Sequence, residues 1–208
     1  MPVELTCRAV SGRSYGSALR ADALALLKIL GLEHYELSLL LVSDSGIRRL
    51  NREFRGKDRA TDVLSFPQLE PAGEPKRGRS AVRSDAPPLA LGDIVISIDT
   101  ARGQARELGE NISGRVRTLL IHGMLHLLGY DHEGSMAEAR RMFAREHEIA
   151  ALMDAGRRQS RSRLNQTRTA KASDSTRAHE AGDLRWSPAA MPERTPKAAK
   201  KLSIAHRP

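Results

Sequence analysis

The sequence predicts an α+β fold, a compact single domain in which a small mixed sheet of about four strands packs with about five helices. Three observations predict it. Four short aliphatic-rich segments, VELTCRAV, YELSLLLVS, DVLSFP and LGDIVISI, have the length and residue choice of strands. Between and after them lie longer segments whose apolar residues recur every three to four positions, as in helices with one buried face. With 208 residues, 40% of them hydrophobic and no internal repeat, the chain can build one ordinary core.

The elements follow in order. VELTCRAV, residues 3 to 10, loosely alternates apolar and polar positions and reads as the first strand. SYGSALRADALALLKIL, residues 14 to 30, places Leu19, Ala23, Leu26, Leu27 and Leu30 on one helical face and ends at Gly31, a C-cap residue. Residues 35 to 43 are aliphatic enough for an interior strand. Asp44 can cap a helix running to about Phe54, with Ile47, Leu50 and Phe54 facing inward. Residues 62 to 67 form a short strand stopped by Pro67, which cannot donate to a ladder. Residues 68 to 90, rich in Pro, Gly and charge, read as a long surface loop. A strand over 91 to 98 follows, then a polar helix opened by Asp99 or Thr100 and closing near Gly109. A long helix from about Ser113 to Leu128 is broken by Gly129. The last helix, roughly 135 to 153, carries Met142, Phe143, Ile149 and Leu152 as its buried stripe.

The formal charge of +9 invites a nucleic-acid reading, but its distribution matters more than its size. Residues 156 to 208 hold 13 Lys/Arg and 4 Asp/Glu, which leaves residues 1 to 155 with 21 of each. The domain is neutral and the tail carries the excess. From Gly156 onward no apolar period is sustained, so residues 156 to 208 are expected to be a disordered basic tail, serving either as a salt-sensitive RNA tether or as a solvated extension. A lone Cys7 excludes an intramolecular disulfide and a Cys-based zinc finger, and reads as a small apolar residue of the first strand. The N-terminus lacks a basic segment followed by a long apolar one, and no apolar run has the length to span a bilayer, so a cytoplasmic location is expected.

The stretch HGMLHLLGYDH, residues 122 to 132, carries the chemistry. On a helix, His122 and His126 are four residues apart, about 400° of rotation, so their rings lie within about 40° of each other one turn apart. His132 could not share that face if the helix continued, but Gly129 can take the left-handed conformation that turns the chain back. Three neutral imidazoles on one zinc ion leave one tetrahedral position open, the mark of a catalytic site. The other two histidines of the domain, His34 and His147, have no such company.

The spacing matches the zinc helix of metzincin peptidases, with Gly123 where those enzymes carry the glutamate that shuttles a proton to the leaving amine. Without it, amide hydrolysis lacks its base. Phosphodiester cleavage demands charge neutralisation, in-line positioning and a leaving-group proton, all within reach of a metal, a cation and water. A cation is available in FRGKDRATDVLSFP, residues 54 to 67, where Arg55, Lys57, Asp58, Arg59 and Asp62 crowd together. An arginine there can grip a phosphate bidentately, although such a run can equally be a solvated loop.

Taken together, HGMLHLLGYDH, FRGKDRATDVLSFP and the LGDIVIS strand resemble the YbeY family of endoribonucleases over about residues 1 to 155. The resemblance implies one zinc held by His122, His126 and His132. It also implies a single-strand-specific endoribonuclease acting in 3′-end maturation of small-subunit (16S) rRNA and in ribosome quality control. Partners would be RNA, the ribosome, small-subunit proteins and an assembly GTPase. By the same resemblance Arg55 is the phosphate clamp and His122 joins it as a catalytic residue. The chain departs from the family's usual Pro-Thr-Asn with Ala60, Thr61 and Asp62, and the 68 to 90 loop and the tail lie outside the shared pattern.

Two other residues of the motif are read more modestly. Asp131 can fix an imidazole tautomer or simply serve the turn, and Tyr130 is expected to pack. With seven aromatic residues in the whole chain, base stacking is not expected to dominate RNA binding. The alternatives are a zinc peptidase, against which Gly123 argues, and a ribosome-assembly factor whose zinc is mainly structural.

Overall fold

The computed structural model describes residues 2–69, 88–132 and 134–180. Four strands, β1 (Val3–Cys7), β2 (Tyr35–Val42), β3 (Val63–Pro67) and β4 (Leu89–Ser97), form one sheet in the order β1-β2-β4-β3. β1 and β4 flank β2 in parallel, and β3 lies antiparallel to β4 at the edge. With five α-helices and a mixed four-stranded sheet among the described residues, the predicted fold class is the observed one.

Period-two alternation sorts the strand residues onto the two faces. On one face Leu37, Leu39, Leu41, Ile94 and Ile96 join the large core beneath α1 (Gly16–Leu30), α4 (Ile112–Leu127) and α5 (Met136–Glu180). Cys7 packs at its margin, as a small apolar residue. On the other face Val42, Leu64 and Val95 meet Ile47 of α2 (Asp44–Arg55) in a much smaller cluster. One face is deeply covered and the other thinly.

The helix starts differ from the predicted ones in an instructive way. Residues 10 to 15 form a 3-10 helix rather than prolonging β1, so α1 begins at Gly16. α2 is capped by Ser43, whose Oγ accepts from the Gly46 amide at 3.4 Å, and Asp44 is its first helical residue. Asp44 is instead used across the fold, accepting from the Ser97 and Thr100 hydroxyls, the latter at 2.6 Å. Likewise α3 (Ile98–Glu107) is capped by Ser97, two to three residues before the predicted Asp99 or Thr100. In both cases an earlier serine hydroxyl reaches the third amide of the turn, the geometry an N-cap requires.

Three predicted inward residues point out. Phe54 is 60% exposed and Phe143 47% exposed, because α2 rests on the sheet only through its Ile47 side and α5 turns Met142, Ile149 and Met153 into the core instead. Leu152 is also exposed. α5 opens on a serine N-cap: the Ser135 hydroxyl accepts from the Glu138 amide at 3.2 Å and donates to Glu138 Oε2 at 2.8 Å.

The chain divides into two compact units, Met1–Arg161 and Ser162–Pro208. α5 continues to Glu180, past Met153, where its buried stripe ends. Over residues 156 to 180 the backbone is thus helical where the sequence, having no apolar period, predicts disorder. Arg157 is held there by the buried Asp22 of α1, and the Arg, Ala, Lys and Gln that follow are good helix formers. The rest of the predicted tail, residues 181 to 208, and residues 70 to 87 of the predicted loop lie outside the described residues.

Candidate metal centre

α4 is buried almost all round. From Leu119 to Leu128 every residue is in the core except His122 and His126. Those two continue a stripe begun by Arg115 and Thr118, spaced at three and four residues, which forms the polar edge of an otherwise apolar helix. The helix ends at Leu127, and Gly129 follows with φ 83°, the left-handed turn that the sequence predicts. Backbone bonds from Gly129 N to His126 O and from Tyr130 N to Leu125 O close that turn. His132 is thereby carried back over the helix.

All three rings converge. Their centroids are 4.8 to 5.1 Å apart in pairs, and one ligand nitrogen from each lies within 4.8 Å of the others. The Nε2 atoms of His122 and His126 are 3.2 Å apart. Two nitrogens bound to one tetrahedral zinc at about 2.0–2.1 Å would be separated by roughly 3.3 Å. The buried Nδ1 of His132 has no hydrogen-bond partner among the described residues, unusual for an enclosed polar atom unless an electrophile satisfies the ring. Burial, together with the neighbouring His122 and His132, lowers the His126 pKa from its ordinary value and keeps that ring in the neutral, lone-pair-bearing form. The donor set fits a divalent ion such as zinc.

A carboxylate that the sequence reading passed over completes the surroundings. Glu146 of α5 places Oε2 3.3 Å from His122 Nδ1, with both side chains four-fifths buried. A proton on Nδ1 shared with Glu146 leaves the Nε2 lone pair facing the other two histidines, the usual relation of a carboxylate to a metal-binding imidazole. Its signal in the sequence was faint: one Glu among several on a helix of unknown rotation. Asp131, for which the sequence leaves both an imidazole contact and a turn role open, contributes its charge near His126, and Tyr130 packs against the core with Arg141 5.8 Å above its ring.

Gly123 now has a physical explanation. It faces the sheet, where an added Cβ would lie 2.9 Å from Ile94 Cγ2 and 3.0 Å from Ser65 Oγ. Ser65 also donates to the Gly123 carbonyl at 3.0 Å. The position at which a peptidase carries its glutamate is here a contact between α4 and strands β3 and β4. No carboxylate fits there without moving the helix off the sheet.

Beside His122 a cleft of about 440 Å³ opens between α4 and α5, lined among others by Asp62, Arg115, His122, Phe143 and Glu146. Arg115 is its cation: Nε donates to Gln104 Oε1 at 2.8 Å, and a terminal nitrogen stands 3.9 Å from Asp62. Burial works against the Asp62 charge, but hydrogen bonds led by that from Gln104 outweigh it and hold the carboxyl below its ordinary pKa. Arg55, the predicted clamp, is the last residue of α2, exposed, and is not among the residues lining this cleft. Of the charge run around it, Arg48 makes a bidentate pair with Asp58 at 2.9 and 2.8 Å, with Arg52 3.8 Å away.

Among the described residues, no helix is long and apolar enough to cross a membrane. Comparison with known proteins agrees with the geometry. The family model described as endoribonuclease YbeY matches residues 15–154. A protein named endoribonuclease YbeY from Anaeromyxobacter sp. (strain Fw109-5) is 49% identical over 150 residues, 72% of this chain and 71% of that one. One of the same name from Geobacter sulfurreducens is 48% identical over 139 residues, 66% of this chain and 86% of its own. A solution structure from Thermotoga maritima superposes with a TM-score of 0.52 at 26% identity, covering 76% of this chain and 93% of that one. With two thirds of its length matched by the family model and relatives near half identical, the chain belongs to the YbeY endoribonuclease family.

Proposed function

We propose that the protein is a zinc-dependent endoribonuclease that cuts single-stranded RNA in the 3′-end maturation of small-subunit rRNA and in ribosome quality control in the cytoplasm. The observation that carries this reading is the convergence of His122, His126 and His132 on one point beside an open cleft. Three imidazoles would hold the ion and leave a position for a fourth ligand. When bound, zinc supplies Lewis acidity and lowers the pKa of water toward neutrality.

The chain's own residues supply the remainder. Glu146 orients His122 and keeps its proton on the nitrogen remote from the other ligands. The hydrophobic packing of α4 fixes the ligand rotamers, because neither histidine can swing into the sheet. Arg55, by the family pattern, meets the phosphate of the substrate and neutralises the charge that develops on it. Its exposed place at the end of α2 leaves it open to a strand arriving from solvent.

Chelation should abolish cleavage of a single-stranded precursor rRNA fragment, and added zinc should restore it. Arg55→Ala should retain bound zinc yet lose most of the cleavage, on the order of a hundredfold for a lost oxyanion-type contact. If Arg55→Ala protein without nuclease activity still rescued rRNA processing in cells, the protein would be an assembly factor with a structural metal.

A further inference from the structure

The cleft between α4 and α5 has two ends of different chemistry. α5 runs back along α4: His132 faces Phe143, His122 meets Glu146, and Arg117 pairs with Asp154 at 2.9 Å. At one end the Phe143 ring stands 6.1 Å from that of His132, tilted by 38°, and is 47% exposed. Toward the other end lies Arg115, two helical turns or about 10 Å from His122 along α4.

Neither residue is explained by the core. α5 buries Met142, Ile149 and Met153, and Phe143 lies outside that stripe, so a large ring is kept at partial exposure against the cleft wall. Arg115 is held by Gln104 at Nε and faces Asp62 at 3.9 Å, which among the described residues leaves N–H donors of its planar fork unspent. Two of the carboxylates in the cleft are already engaged, Asp62 by Gln104 and Glu146 by His122, while Glu110 is exposed to solvent. An aromatic face and a preset guanidinium on either side of a metal-binding histidine match an unpaired base and a backbone phosphate of one strand.

Resting on the nuclease reading above, we propose that Phe143 and Arg115 bracket a short single-stranded segment in this cleft, with a base stacked on Phe143 and a phosphate further along the strand on Arg115. The pair selects for single strands, since a base held in a duplex cannot present its face to a side chain. The strand would then pass His122 between its two anchors.

The test uses the zinc-loaded full chain and a short single-stranded RNA carrying aminopurine, whose emission falls when it stacks. Wild-type protein should quench the probe. Phe143→Leu should lose the quenching and bind about tenfold more weakly at unchanged zinc content, while Phe143→Tyr restores both. Arg115→Gln should weaken binding and flatten its salt dependence without affecting the quenching of the RNA that remains bound. Quenching by Phe143→Leu equal to wild type, or RNA cleavage by wild type with no quenching at all, would overturn the proposal. Quenching that needs Phe143 in a protein that does not cut RNA would support the cleft assignment while removing the nuclease reading.

Discussion

α4 and α2 both carry residues that the sequence marks as chemical, yet they are built in opposite ways. α4 is packed on nearly every side, and its polar stripe is narrow: Arg115, Thr118, His122 and His126. α2 buries little besides Ile47 and Asn51 and turns its arginines outward, where Arg48 and Arg52 share the Asp58 carboxylate. On α4, position is set by the core, so a spacing read from sequence becomes a geometry. On α2, position is set by exposed ion pairs, each of small net worth, so a run of charge says little about where any one cation acts.

The comparison can be broken most severely at Gly123. Gly123→Glu, which restores the residue found in zinc peptidases, should not create a peptidase but should unseat α4 from β3 and β4. Its Cβ already collides with Ile94 and Ser65, and overpacking with a buried carboxylate costs about 3 kcal/mol or more. A thermal melt should show a loss of many degrees; an unchanged melt with new casein cleavage would refute the packing explanation.

A smaller effect is expected at Glu146. Glu146→Ala should bind zinc about tenfold to a hundredfold more weakly in competition with a chromophoric chelator, and Glu146→Gln, which keeps an acceptor, should recover most of the affinity. Equal affinities in all three proteins would mean that the contact with His122 does not orient a ligand. Smallest of all is Asp58→Ala, just after α2: both partners of its pair with Arg48 are half exposed, so the melting temperature should not move measurably.

Much of this was legible beforehand. The i, i+4 histidines and the turn at Gly129 follow from helical geometry alone, and the four strands follow from their aliphatic runs. What escaped is what depends on tertiary rotation. The period of α5 places Phe143 and Met142 on adjoining positions, and only packing decides that Met142 goes inward and Phe143 to the cleft. Glu146 and Arg115 are likewise ordinary charged helix residues until α4 and α5 are laid side by side. Caps were missed by one to three residues because Ser43 and Ser97 precede an Asp or Thr equally suited by composition, and only backbone direction separates them.

Cleavage of a precursor small-subunit rRNA fragment by wild type and His126→Ala, purified identically and assayed with metal content measured on the same samples, tests the central claim most directly. Wild type should carry one zinc per chain and cut the fragment, and His126→Ala should lose both together. Equal cutting by the two proteins, or cutting by wild type that contains no metal, would contradict the assignment of the chemistry to these three histidines.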